Sequence, residues 1–337
     1  MKFNALSVRR SVLAGAALAA CGLVQAQSNV TLYGIVSQDV LRATHTAKGR
    51  ATLVENGRLN SSRLGFMGAE DLGDGLYAIF GLESGINPDT GTANGGSSFW
   101  NRGSYVGFKN AYGTLTIGRQ WNVNDDLLGN FFVFGGYAVF SYGGFGETSD
   151  TFNNSAKYVS PSFGGFTFEA LGALGEGGPR TYELAGAYSG GGLKAALTYH
   201  VTESKAVGLK DKLISGGVSY GMASWNARFG YSSADNQLSG TGTAGFPKAA
   251  AYDLGFDYAV TPLTILSLDY VARDLKNSSN DSHFIRLLAR YNLSKRTQLN
   301  ANLIQMKNKG TAVESFYGLD APGATQNVIG VGVSHSF

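Results

Sequence analysis

The chain has 337 residues, 48 of them glycine, with only 6 prolines and a single cysteine. Aromatic residues reach 12% and charged residues only 15%, which excludes a disordered chain, and the cysteine count excludes a disulfide scaffold. Mean hydropathy is −0.05, and past the N-terminus there is no apolar run of about 18 residues, so a helical membrane protein is not expected.

Residues 1–26 read as a secretory signal peptide. Lys2, Arg9 and Arg10 form the positive start, an apolar run follows over residues 12–24, and Ala26 supplies the small residue before the cut. Leu18-Ala19-Ala20-Cys21 also fits a bacterial lipobox. We read Cys21 as a small residue of the apolar run, because a conventional cleavage site follows it. Removing Lys2, Arg9 and Arg10 takes Lys+Arg from 27 to 24, against 24 Asp+Glu. The mature domain, residues 27–337, is then formally neutral, and nucleic acid is not an expected partner.

From there the chain repeats one pattern. Segments alternate apolar with polar or small residues, and turn residues separate them. In one segment Leu193, Ala195, Leu197, Tyr199 and Val201 oppose Lys194, Thr198 and His200. In the next examples Trp225, Ala227, Phe229 and Tyr231 oppose Asn226 and Arg228, and Ile285, Leu287 and Tyr291 oppose Arg286 and Arg290. A period of two marks strands with one apolar and one polar face.

About sixteen such strands can be counted, an even number, as closed outer-membrane barrels require. They begin near Val30, Arg63, Leu76, Arg102, Thr114, Ser155, Phe166, Thr181, Leu193, Lys212, Ser224, Ala251, Thr264, His283, Thr297 and Gln326. Every second connection is a tight turn, such as Leu72-Gly73-Asp74-Gly75 and Thr261-Pro262-Leu263. The others are mostly long: residues 42–59, 122–154, 234–249 and 307–325. Short turns on one side and long loops on the other predict an all-β fold, a transmembrane antiparallel barrel. Ile329, Val331, Val333, His335 and Phe337 alternate to the last residue, so the final strand is expected to close on the first. Strands ~4.8 Å apart and tilted by ~40° give a barrel about 32 Å across, too wide for side chains to fill. The longest connection, residues 122–154, is therefore expected to fold inward, with its aromatics on the wall and its acids toward the lumen.

Several stretches resemble the trimeric general porins of Gram-negative outer membranes, in particular the β-proteobacterial branch. They are Ser28-Asn29-Val30-Thr31-Leu32-Tyr33-Gly34, Ser62-Arg63-Leu64-Gly65-Phe66, Gly68-Ala69-Glu70-Asp71-Leu72-Gly73, Tyr105-Val106-Gly107-Phe108 and Gly118-Arg119-Gln120. Asn153-Asn154-Ser155-Ala156-Lys157-Tyr158, Ser160-Pro161-Ser162-Phe163-Gly164-Gly165-Phe166 and the terminal Val333-Ser334-His335-Ser336-Phe337 complete the set. The resemblance implies a homotrimer of sixteen-stranded barrels in outer-membrane lipid and lipopolysaccharide, passing small hydrophilic solutes and ions. It implies a constriction in which wall arginines, here Arg63, Arg102 and Arg119, face acids of the inward loop, with Asp125, Asp126 and Glu147 as candidates. It implies that the terminal aromatic, Phe337, is read by the barrel-assembly machinery. The loop lacks the proline of the enteric porins, so the facing acid stays open among the three.

Such an arginine cluster would favour anions. Glu83, Lys194, Arg228, Arg286 and Arg290 are expected as solvated lumen residues with little effect. The four histidines are scattered without metal-ligand spacing, and no metal or cofactor is expected. The alternatives to a general porin are a substrate-specific channel and, further off, a barrel enzyme.

Overall fold

The computed structural model describes residues 29–133, 150–238 and 248–337. The expected signal segment lies outside them. In chain order the strands are β1 Asn29–Thr46, β2 Gly49–Asn56, β3 Arg63–Asp71, β4 Tyr77–Asn87, the short β5 Thr92–Ala93, β6 Gly103–Asn110 and β7 Gly113–Trp121. A single helical turn, α1, covers Val123–Leu128. There follow β8 Thr151–Val159, β9 Phe166–Ala173, β10 Arg180–Gly190, β11 Leu193–Ser204, β12 Leu209–Met222, β13 Trp225–Asn236 and β14 Lys248–Thr261. β15 Thr264–Leu275, β16 Ser282–Asn292, β17 Thr297–Asn308 and β18 Gln326–Ser336 complete the chain.

Every pairing is antiparallel, and neighbours in sequence are neighbours in the sheet. The sheet closes where Ile35–Ala43 of β1 pairs with Val328–Ser336 of β18. β2 and β3 lie end to end along β1, and β5 pairs only with the tip of β4, so sixteen strands form the wall. Closure matters energetically: an unpaired backbone group facing hydrocarbon costs several kcal/mol, and a closed barrel has no edge. At the seam, Gly34 and Phe337 exchange backbone hydrogen bonds of 3.1 and 3.2 Å. A Cβ on Gly34 would lie 2.8 Å from the Arg63 carbonyl oxygen and would run into Cζ of the Phe337 ring, so only glycine fits beneath that terminal ring.

The alternation sorts the side chains as a membrane requires. Leu197 is 63% exposed on the outer face, whereas His200, on the opposite phase of the same strand, is fully buried. Leu254, Phe256, Tyr258, Ile285, Leu287, Ile329 and Val331 are likewise exposed, and Asp253, Ser215, Ser232 and Asp269 are buried inside. An exposed apolar belt around a polar interior is an inversion of soluble packing, and lipid is the solvent that stabilises it.

Two boundaries differ from the sequence expectation. Residues 42–59 are not a long loop: β1 runs on to Thr46, turns within two residues, and returns as β2. The alternation continues through that hairpin, with Leu53 packing inward on a buried cluster around Leu41, Ala43, Phe284, Ile304, Met306 and Val328. Between β2 and β3 the wall opens over residues 57–62. There the gap is stitched by Ser37 N–H donating to Ser62 Oγ (2.9 Å) and Arg58 N–H donating to Asp39 Oδ2 (2.8 Å). Further on, β8 begins at Thr151, ahead of the expected Ser155, so the long connection ends at Asp150.

Candidate functional site

The lumen is shaped first by residues 122–133, which run inside the barrel. Asn122 caps α1, its Oδ1 accepting from Asp125 N–H at 2.7 Å. Val123 N–H donates to Glu183 Oε2 on β10 (2.8 Å). Glu183 in turn contacts His200 Nδ1 on β11 at 2.8 Å, and His200 Nε2 lies 3.0 Å from the Thr202 hydroxyl. Beyond α1 the chain crosses the wall at about one strand per residue. Phe131 packs over Gly217 of β12, Phe132 over Gly230 of β13, and Val133 N–H donates to Asp253 Oδ2 of β14 at 2.7 Å. The strand glycines supply the space: a Cβ on Gly217 would lie 2.5 Å from Phe131 Cγ, and one on Gly230 2.6 Å from Phe132 Cζ. Leu128, Phe131 and Phe132 are buried there with Ala196.

A second inward element was not expected. Phe316, in the connection between β17 and β18, joins the buried cluster under β1 and β15–β18. Its N–H donates to Gln326 Oε1 (2.9 Å), its carbonyl accepts from Arg58 (2.9 Å), and the Arg58 guanidinium lies 4.3 Å from the Tyr317 ring centroid. Apolar residues on the inward phase, such as Phe284, Ile304 and Met306, are the signal that could have shown it: a wall facing only water would not carry them.

The expected constriction residues separate. Arg63 and Arg102 are brought together with Glu83 and Tyr33 on the wall. Arg102 Nε donates to Glu83 Oε1 (2.6 Å) and Tyr33 OH to Glu83 Oε2 (2.9 Å). The Arg102 guanidinium also lies 4.6 Å from the Trp121 ring centroid, a cation–π distance. Glu83 is thus an anchor for Arg102 and not a loose solvated charge. Arg119 does not join them. It pairs with Ser104, in phase with the exposed Ile117, while its neighbour Gln120 is the buried residue. Its side chain donates to the Asn101 carbonyl (2.6 Å) and Asn153 Oδ1 (2.7 Å). Strand alternation therefore turns Arg119 away from the lumen, and its expected constriction role is corrected.

Among the acids, Asp126 is ion-paired with Lys157 of β8. Burial pushes its carboxyl above the usual range, and the lysine partly opposes this. Asp125 lies in the first turn of α1. Asp150, at the far end of the connection, is raised by burial and pulled back by the Arg102 charge. It is thus a loop acid close enough to Arg102 to feel its charge. Glu147 lies outside the described residues.

Across the lumen a second charged cluster covers β13–β16. Arg228 bridges Asp257 and Asp269. Arg286 holds Asp269 at 2.8–2.9 Å. Arg228 and Arg286 were expected as solvated wall charges, yet they are only 9% and 4% exposed, and the Asp269 between them is fully buried. Their pairing in a low-dielectric wall fixes both arginines in place. Arg290 is different. It is 27% exposed and held only loosely, its Nη2 3.4 Å from Asp257 Oδ1 and 3.2 Å from Ser267 Oγ. It borders a cavity of about 400 Å³ whose other sides are Asn60 of the wall gap, Asn130 beyond α1, and Asn226 and Gln298. Lys194 reaches Asn130 Oδ1 at 3.2 Å.

A closed sixteen-stranded barrel, apolar outside and polar and charged inside, defines a pore-forming outer-membrane protein. Comparison with known proteins agrees. The profile of the Gram-negative porin family matches residues 12–311, and the chain belongs to that family. It is 32% identical over 98% of its length to outer membrane porin protein 32 of Delftia acidovorans, all of which is covered. It is 39% identical over 120 residues, 32% of this chain and 26% of the relative, to the major outer membrane protein P.IA of Neisseria meningitidis serogroup B. Among solved structures, the anion-selective porin from Comamonas acidovorans superposes with a TM-score of 0.78 at 28% identity, covering 92% of this chain and all of that one. OmpT of Vibrio cholerae in its trimer form shares the fold, with a TM-score of 0.69 at 16% identity over 92% of this chain and 99% of that one. The protein is an outer-membrane general diffusion porin, a channel for ions and small hydrophilic solutes and not an enzyme.

Proposed function

We propose that this channel prefers anions, and that the preference is set where Arg63 and Arg102 face Asp150 and Asp126. The observation that carries it is the Arg63–Arg102 pair, which shares a single wall carboxylate, Glu83. Asp126 is already neutralised by Lys157, so the local balance favours positive charge. The Comamonas acidovorans relative of like fold is described as anion-selective, which supports the same sign. Reversal potential in a KCl gradient tests it: an anion-selective value is expected, and a cation-selective value would refute it.

We further infer a homotrimer. On β1–β3, β6, β7, β17 and β18, a near-continuous arc of the wall, no exposed large apolar side chain is tyrosine or tryptophan. Apart from Tyr77 at the start of β4, the exposed strand tyrosines lie on the other side of the wall, from Tyr158 on β8 to Tyr291 on β16, where they suit a lipid interface. The bare arc fits a face covered by other copies. Residues 1–26 act as the export signal in this reading, and the Phe337 ring over Gly34 is the end presented to the assembly machinery. Intact mass tests the first: a mature chain starting at Gln27 is expected, and a lipidated Cys21 start would overturn it.

A further inference from the structure

We propose that Arg290 and the cavity beside it form a binding site for small organic carboxylates, on the wall across from the Arg63–Arg102 pair. Three features carry this. The first is local charge. Arg228, Arg286 and Arg290 all line the cavity, and Asp257 is the carboxylate among its lining residues, with Asp269 buried behind it. A third carboxylate, Asp253, is buried near the same arginines and accepts from Val133 N–H, so the cluster as a whole is balanced, but at the cavity lining itself three guanidinium groups meet one carboxylate.

The second is the contrast among the arginines. Arg228 and Arg286 are locked by Asp269 and nearly buried, so they are framework. Arg290 is the most exposed of the three, at 27%. Its contacts to Asp257 and Ser267 are long, both through Nη2, and its Nε has no hydrogen-bond partner among the described residues. A guanidinium so lightly engaged can turn a pair of N–H groups toward an incoming anion. Its planar fork matches a carboxylate, which accepts two parallel hydrogen bonds, better than it matches a halide.

The third is the rest of the lining. Asn60, Asn130, Asn226 and Gln298 ring the same cavity. Amides donate and accept, so they suit the hydroxyls or second carboxylate of a small organic acid. A volume of about 400 Å³ accepts such a solute. The site stays weak by construction, because Asp257 competes for the same guanidinium, and a channel must release what it binds.

The test uses purified protein in planar bilayers, with single-channel KCl current recorded while succinate, its neutral isostere succinamide, or inorganic phosphate is added. Succinate is expected to interrupt or reduce the current at concentrations where succinamide does nothing. Arg290→Gln should raise the half-blocking succinate concentration about 10-fold, the loss of one charge-assisted hydrogen-bonded contact, while stepwise KCl currents persist. Arg290→Lys, which keeps the charge and loses the fork, should fall between. If Arg290→Gln fails to form channels, a weaker succinate block in Arg290→Lys supports the site and an unchanged one refutes it. The proposal is overturned if succinate acts no better than succinamide, if Arg290→Gln is blocked like the wild type, or if phosphate blocks as well as succinate. The outcome is independent of the proposed selectivity: Arg63→Ala with Arg102→Ala should move the reversal potential and leave the succinate block in place.

Discussion

Replacing Gly217 and Gly230 by alanine adds two methyl groups to the inner wall where residues 131 and 132 cross it. The new carbons would lie 2.5 Å from Phe131 Cγ and 2.6 Å from Phe132 Cζ. Carbon atoms rest at ~3.5–4.0 Å, so each ring must retreat by about 1 Å. Overpacking of this kind costs ~1–3 kcal/mol per site. Both rings share one buried cluster with Leu128 and Ala196, so the double variant costs less than the sum. A net loss of about 2 kcal/mol raises the population with this segment detached roughly 30-fold. The backbone ladder between β12, β13 and β14 is untouched, so the barrel itself should remain folded. Single-channel recording should show added open-channel noise and brief closures, at nearly unchanged thermal stability. A double variant as quiet as the wild type, at the same conductance, would refute the reasoning.

Arg63→Ala with Arg102→Ala should shift the KCl reversal potential toward cations, whereas Arg119→Ala should leave it unchanged, since Arg119 bonds Asn101 and Asn153 away from the pair. Falling pH should strengthen the anion preference. The carboxyls of Asp126 and Asp150 are both raised by burial, so they take up protons and lose negative charge before ordinary carboxylates do, and the lumen becomes more positive. Reversal potentials across the acidic range check this, and a drift toward cations would contradict it. Asp269→Asn should destabilise the barrel by ~3–5 kcal/mol, because it leaves two buried guanidinium groups without their shared carboxylate. The heat-denaturation temperature of the folded form on gels reads this out, and an unchanged value would show that the network adds nothing.

The wall was legible because the bilayer leaves so little choice. Apolar residues must face lipid at every second position, and Leu197, Phe256 and Ile329 do so in the phase the sequence shows. Arg119 shows the same rule misapplied. Leu115, Ile117 and Arg119 already alternate on one face, and β7 keeps that phase past Gly118 despite its positive φ of 138°. The motif Gly118-Arg119-Gln120 drew the eye to the arginine, and alternation gave the inward position to Gln120. The charge network of Arg228, Asp257, Asp269 and Arg286 was illegible for another reason. These residues lie on four strands, and whether they meet depends on pairing registers that the turns decide. The inward position of Phe316 was hidden likewise, because a connection does not announce which side of the wall it covers.

The crossing of residues 123–133 has a mechanical consequence. A thin closed tube yields most readily by flattening, since that only requires neighbouring strands to tilt and slide. Here a chord fastened at Glu183, Gly217, Gly230 and Asp253 runs across the strands from β10 to β14. It acts as an internal brace on one side of the tube and leaves the bare outer arc to be stiffened by whatever covers it. Cutting the brace should soften the cross-section as well as widen the passage, so an ion would meet a hole that fluctuates in shape as well as one that is larger.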